Sequence, residues 1–163
     1  MSRMYSVSFE KVAVTAAQDL FQLVTPDSDV KAIVHAIYIS QSSDVGDAAA
    51  ENLNILIHRG STNGSGGASA TPTPLYDQDT ASVVVCEVNN TSQSTEGTII
   101  HAQAFNITNG LVLEFPEACR PIITENDIFV IELQENPADE LTMSGTLYFE
   151  ETNRNPRRDK KVR

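Results

Sequence analysis

Three histidines carry the widest range of possible chemistry in this sequence: His35, His58 and His101. Each lies in a run of alternating apolar residues that is typical of a β-strand. Neighbouring strands lie about 4.8 Å apart, so histidines on three strands can in principle surround one metal ion. The sequence has no His-x-His pair, and the spacing gives such a site no support. We therefore interpret the three as structural or interface histidines and expect no metal site and no cofactor.

The two cysteines, Cys86 and Cys119, are the candidate nucleophiles. Neither has a histidine close to it in the sequence, and the lack of a Cys-x-x-Cys pair excludes a zinc ribbon. One disulfide is possible by number, but a cytosolic setting favours thiols. We expect two small, semi-buried side chains, and the sequence leaves their pairing open.

A stretch rich in Gly, Ser, Thr and Pro, 60–74, has almost no apolar side chains. We expect a long surface loop, and loops beyond about 12–15 residues are usually functional or mobile. Neither a lysine nor a strand-to-helix transition follows Gly64-Ser65-Gly66-Gly67, so the segment lacks the features of a phosphate-binding loop.

Acidic residues in other connections offer oxygen ligands for Ca²⁺, but none has the spacing of an EF-hand, and we interpret them as solvated loops. They are Asp44, Asp47, Glu51, Asp77 and Asp79. No nucleophile elbow, zinc-protease motif or dinucleotide-binding motif occurs either. The sequence therefore predicts a protein that is not an enzyme.

The elements that position these residues are short apolar runs of period two, separated by turns. The predicted strands cover 4–9, 19–25, 30–40, 53–59, 81–88, 98–107, 111–115, 127–133 and 141–151. Asn109-Gly110 predicts a hairpin that pairs 98–107 with 111–115. No helix is predicted with comparable strength. This pattern predicts an all-β fold: a single-domain, jelly-roll-like antiparallel β-sandwich of about eight strands.

Two of these strands have features of their own. In 141–151 one face is apolar, and Gly145 lies on it, where a strand bends or a neighbour approaches closely. The strand 30–40 is apolar on both faces, with Ile33, His35, Ile37 and Ile39 together on one of them. We expect a second sheet to cover one face and a loop or another subunit to cover the other.

The net charge of −11 is unevenly distributed and suggests two regions. The β-sandwich domain, 1–152, has five basic and 21 acidic residues, a net charge of −16, whereas the tail 153–163 has six basic residues and one acid. So acidic a body is not expected to bind nucleic acid. The tail is a solubilising end, an electrostatic arm for an acidic partner or nucleic acid, or a segment that docks onto a neighbouring subunit.

No apolar run approaches the roughly 20 residues of a membrane-spanning helix, and the first ten residues lack the apolar core of a secretory signal. We therefore expect no membrane partner. The expected location is a cytoplasm, or a particle that is assembled in one.

Five stretches of this chain resemble stretches of small phage and prophage virion proteins. They are VAVTAAQDLF (12–21), ISQSSDVGDAAAE (39–51), GGASATPTPL (66–75), EVNNTSQ (87–93) and LTMSGTLYFEE (141–151). The chain thus resembles the bacteriophage head decoration (cement) proteins. This resemblance implies a β-sandwich, commonly trimeric, that binds the outer head surface and stabilises contacts between major capsid proteins. The implied location is the outer capsid surface of a virion assembled in the host cytoplasm. The tail 153–163 departs from the shared pattern.

The interface hypothesis has two parts. We expect the trimer contact on the strand 30–40, through Ile33, His35, Ile37 and Ile39. The capsid contact is expected from the N-terminal segment 2–9 or from the tail; its candidate residues are Tyr5, Phe9, Arg154, Arg157, Arg158, Lys160 and Lys161.

Two alternatives stay open. A phage tail or fibre component, or a glycan-binding β-sandwich module, would use the loop 60–74 as its binding surface. A cupin-like metalloenzyme would need a cluster of histidines.

Overall fold

The computed structural model describes residues 2–43 and 51–153. Twelve strands and one turn of 3₁₀ helix, Glu117–Cys119, are found in these residues. The strands are β1 (Ser2–Val14), β2 (Gln18–Val24), β3 (Val30–Gln41), β4 (Asn52–Thr62), β5 (Ala68–Ala70), β6 (Thr73–Pro74), β7 (Val85–Asn90), β8 (Thr95–Asn106), β9 (Leu111–Glu114), β10 (Ile122–Ile123), β11 (Ile128–Leu133) and β12 (Leu141–Asn153). None of the helical structure within the described ranges is long and apolar enough to cross a membrane.

The strands form two six-stranded sheets that pack face to face. Sheet A has the order β10-β3-β12-β1-β6, with β9 also paired to β3, and sheet B has the order β5-β7-β2-β11-β4-β8. The antiparallel pairs are nested: β1 with β12, β2 with β11, β3 with β9 and β10, and β4 with β8. Such nesting wraps a long hairpin into two sheets, which is the topology of a jelly roll. The predicted antiparallel sandwich is therefore confirmed.

The strand count differs from the expected eight for two reasons. The strand opposite β3 is broken into β9 and β10, and the segment between β4 and β7 adds β5 and β6. Part of this segment is the stretch 60–74, which was predicted to be a surface loop only. Its strands instead extend both sheets, because β5 pairs with β7 at one edge and β6 pairs with β1 at another.

The predicted hairpin between 98–107 and 111–115 is wrong. β8 belongs to sheet B and β9 to sheet A, where Ile39 pairs with Leu111. The chain does turn between them: the Gly110 amide donates to Asn106 O and Gly110 has φ +70°. This turn carries the chain from one sheet to the other.

Sheet A supplies much of the core through β12, as the alternation of this strand predicts. Leu147 and Phe149 are buried, and the Phe149 ring stacks on Tyr5 at 5.6 Å. A Cβ on Gly145 would lie 2.7 Å from the nearest atom of the Phe9 ring. The absent side chain therefore makes room for an aromatic ring, as expected for a glycine on the apolar side of a strand.

The prediction that Ile37 and Ile39 share a face of β3 with Ile33 and His35 is wrong. Tyr148 pairs with Ala36 whereas Phe149 pairs with Val34, so a β-bulge interrupts the register there. A bulge adds one residue and reverses which side chains point inward. Val34 and Ile37 are consequently both buried, while His35 lies on the outer face.

The burial of four residues contradicts their assignment to an interface. Tyr5, Phe9, Ile37 and Ile39 lie inside the sandwich of a single chain and cannot contact another subunit. Ile33 and His35 are half-buried on the outer face of sheet A and stay candidates. The five candidates of the tail, Arg154, Arg157, Arg158, Lys160 and Lys161, lie outside the described residues.

The two cysteines are free and lie in different environments: Cys86 is buried in the core and Cys119 is exposed. Burial raises the pKa of the Cys86 thiol to about 12, and thiolate is the reactive form. We expect a thiol reagent such as DTNB to modify only Cys119 in the native chain and both cysteines in denaturant. Cys119→Ser should abolish the native reaction. A native chain without any reactive thiol would contradict this assignment.

Candidate functional site

Three adjacent strands of sheet B bring Asp19, His58 and Glu132 together on the face away from the core. Asp19 of β2 lies opposite Glu132 of β11, and His58 of β4 lies opposite Val130, two residues along β11. Because side chains alternate along a strand, the core residue Ile57 and His58 point to opposite faces. Antiparallel pairing thus gathers residues that are far apart in the sequence.

The three side chains are close to one another and deeply buried. His58 Nε2 lies 3.0 Å from Glu132 Oε2. One nitrogen or oxygen from each of the three residues lies within 4.8 Å of those of the other two. Asp19 and His58 are 0% exposed and Glu132 is 9% exposed. Charged residues are rarely buried so fully unless they are paired or bind a metal.

Two connections cover this cluster, residues 63–67 between β4 and β5 and residues 91–94 between β7 and β8, here called the cover. Ser65 and Ser92 join them by two backbone hydrogen bonds of 2.8 and 2.9 Å. The cover also contacts the cluster, because the Ser94 amide donates to Asp19 Oδ2 at 2.7 Å and Gln93 Nε2 donates to Glu132 Oε1 at 2.8 Å.

Gly64 sets how closely the cover approaches. A Cβ at this position would lie 2.6 Å from Asp19 Oδ2 and 2.8 Å from the Ser92 carbonyl oxygen. The Gly64 amide donates to Gln22 Oε1 at 2.8 Å. A glycine is needed here because the backbone packs directly on the carboxylate. Part of the glycine-rich stretch therefore packs over polar side chains through the buried Gly64, while the residues on either side of Gly64 stay exposed.

The electrostatics of the cluster are unbalanced. Burial raises the pKa of Asp19, and hydrogen bonds from Ser94 and the nearby His58 only partly oppose it. Burial also raises the pKa of Glu132, with His58 opposing the shift and Asp19 adding to it. Within the described part of the chain, Asp19 Oδ1 and His58 Nδ1 have no hydrogen-bond partner. Buried polar atoms without a partner are uncommon and call for an explanation.

The outer face of sheet A holds a second group of residues, here called the tyrosine face: Ile33, His35, Tyr38, Val112 and Tyr148. The Tyr38 and Tyr148 rings meet edge to face at 5.9 Å, and Tyr38 pairs with Val112, which is 64% exposed. The other residues of this face are half-buried in the single chain.

Polar contacts hold the tyrosine face in place. His35 Nε2 lies 3.0 Å from Glu150 Oε2, and the Tyr38 hydroxyl donates to Glu114 at 2.6 Å. A hydrogen bond from the Ser2 hydroxyl lowers the pKa of Glu150, and His35 adds to this effect. Glu150 is therefore ionised and orients His35 at neutral pH.

The structure does not bring the three histidines together. His35 lies on sheet A, His58 lies in the buried cluster, and His101 on β8 contacts Gln103 at 3.1 Å. The sequence-based interpretation missed Asp19 and Glu132; the available signal was an acid within an apolar strand in each case, DLFQLV and IFVIEL.

Two of the acidic residues considered as Ca²⁺ ligands have other contacts. Glu51 accepts a hydrogen bond from the Ala138 amide, and Asp79 pairs with Arg3. Asp44 and Asp47 lie outside the described residues. In comparison with known proteins, no protein-family model matches the chain and no curated protein matches its sequence.

Proposed function

We propose that the chain is a virion structural protein, a capsid decoration (cement) protein that binds the outer head surface and stabilises contacts between major capsid proteins. The observation that carries the proposal is the partly exposed tyrosine face on a jelly-roll sandwich. Jelly rolls are a recurring architecture of viral capsid domains. The short stretches that resemble phage virion proteins support the same function.

The tyrosine face has the composition of a protein–protein contact. Aromatic residues are enriched in interfaces, and here two tyrosines and two aliphatic residues share the outer face of sheet A with the His35–Glu150 pair. Stable interfaces usually bury at least about 1,000 Å² in total, and strands of 12 and 13 residues offer a face long enough for this. We assign this face to the contact between copies in a homotrimer.

Charge indicates a function for the tail. Acidic bodies with a net charge of −16 repel one another at low salt. The six basic residues of the tail 153–163 complement an acidic surface, either on the major capsid protein or on a neighbouring copy. Attraction of this kind weakens as salt screens it.

The alternative function, a tail or fibre component that binds glycans, is favoured by one observation. Leu75 and Tyr76 follow the stretch 60–74 and are exposed, Tyr76 by 62%. An exposed aromatic ring can stack on a sugar, and lectins also use jelly rolls. Immunogold labelling of virions separates the two functions, since a decoration protein labels the head and a fibre component labels the tail.

A capsid-binding experiment tests the proposal. The full chain is expected to co-sediment with expanded, decoration-free capsids of the phage that encodes it, and a chain lacking 153–163 should bind more weakly. The shortened chain should also lose most of the salt dependence of binding, because the charges that salt screens have been removed. Failure of the full chain to co-sediment at any salt concentration would refute the proposed function.

A further inference from the structure

We propose that Asp19, His58 and Glu132 bind one divalent first-row transition-metal ion, and that this ion fastens the cover to sheet B. The site is separate from the tyrosine face, which lies on the other sheet. The inference therefore does not depend on the proposed function.

The donor set suits such an ion. An imidazole nitrogen and two carboxylate oxygens are ligands of Zn²⁺ and, with more oxygen, of Mn²⁺. Ca²⁺ and Mg²⁺ prefer sites made only of oxygen. The cluster offers one oxygen from each acid and one nitrogen from His58, so we expect Zn²⁺ or Mn²⁺ to bind in preference to Ca²⁺ or Mg²⁺.

The distances fit a site that contracts when it is filled. In a tetrahedral site with bonds of about 2.0–2.2 Å, two ligands lie about 3.4 Å apart. His58 Nε2 and Glu132 Oε2 are already 3.0 Å apart, and the three ligand atoms lie within 4.8 Å of one another. The widest pair therefore closes by up to about 1.4 Å when an ion binds, a change that side-chain rotation can supply.

Charge and hydrogen bonding both point to a cation. A divalent ion carries the two positive charges that match two buried carboxylates, which removes the cost of an unpaired buried charge. An ion also gives a partner to Asp19 Oδ1, which has none in the described part of the chain although Asp19 is 0% exposed.

The cover supplies the second layer of the site. Ser94 and Gln93 donate to the two carboxylates and orient them, as outer-layer hydrogen bonds do for many metal ligands. Because these donors come from the cover and the ligands come from sheet B, an ion that fixes the carboxylates also fixes the cover. The proposed ion is therefore structural.

The test uses the full chain after treatment with a chelator, titrated with Zn²⁺ and separately with Mn²⁺. Equilibrium dialysis with elemental analysis gives the stoichiometry, and thermal unfolding gives the stabilisation. We expect one ion per chain. A free ion concentration of about 100 times Kd should raise Tm by roughly 5–10 °C. Ca²⁺ and Mg²⁺ at the same concentration should leave Tm unchanged.

Two nearly isosteric variants locate the site. Asp19→Asn and Glu132→Gln should each weaken binding by at least about 10-fold, because direct ligands matter at least as much as outer-layer groups. The matched controls are Asp77→Asn and Glu114→Gln, which make the same changes outside the cluster and should bind as the unmodified chain does. If neither cluster variant folds, the stoichiometry and Tm shift of the unmodified chain decide the question.

Three results would overturn the inference. The first is that the chelator-treated chain takes up neither ion. The second is that both cluster variants bind the ion as tightly as the unmodified chain does. The third is a preference for Ca²⁺ or Mg²⁺, which would contradict the nitrogen ligand and thus the proposed class of metal.

Discussion

Phe149→Ala is expected to lower the free energy of unfolding by about 3–5 kcal/mol, the usual cost of removing a buried phenylalanine. Phe149 is 0% exposed, and its ring stacks on Tyr5 at 5.6 Å between the two sheets. The loss is a large part of the roughly 5–15 kcal/mol that stabilises a typical domain. Urea unfolding followed by circular dichroism measures it, and Tm should fall by roughly 6–20 °C.

Thr146→Ala is the matched control for this prediction. Thr146 lies on the same strand but points to the outer face of sheet A. Its replacement should cost less than about 1 kcal/mol. Equal losses in the two variants would show that the assignment of the inner and outer faces of β12 is wrong.

Val112→Glu is expected to dissociate the proposed homotrimer into folded monomers, raising the dissociation constant by about 100-fold or more, as a central interface residue does. Val112 lies beside Tyr38 on the tyrosine face and is largely exposed in the single chain. The change thus adds a negative charge to the contact while leaving the core intact. Light scattering at micromolar concentration measures the mass of the particle.

Ile99→Glu provides the control for the trimer contact. Ile99 is 53% exposed on β8 of sheet B, so the same change is made at a similar exposure on the other sheet. This variant should stay trimeric. A trimer that survives Val112→Glu and dissociates with Ile99→Glu would move the contact to sheet B, and an unmodified chain that is monomeric would refute the homotrimer.

The sandwich could be predicted because its signal is local. In β12 the alternation of Leu147 and Phe149 with polar neighbours identifies both the strand and its buried face. The same pattern predicted a close approach at Gly145. The identity of the approaching ring, Phe9, depends on the register between β1 and β12, and the sequence of one strand does not contain its register with another.

Features that depend on pairing escaped prediction. The β-bulge in β3 places both Val34 and Ile37 inside, and an apolar run with no polar face gives no sign of where such a reversal occurs. Asn109-Gly110 correctly predicts a turn, but the same local signal serves a hairpin and a crossing between sheets.

The buried cluster is the clearest case of a site hidden by sequence distance. His58 and Glu132 are 74 positions apart and come within 3.0 Å only because β4 and β11 are neighbours in sheet B. Asp19 and Glu132 each interrupt an apolar strand, which signals that a charged residue needs a partner. The nested topology of the jelly roll is what joins the three residues.

The most direct test of the proposed function is a cryo-electron microscopy reconstruction of the virion that encodes this chain. The proposal predicts that the jelly roll fits density on the outer surface of the head, as trimers whose tyrosine faces meet around a threefold position. The contradicting result is a head without such density and a fit of the jelly roll in the tail or its fibres.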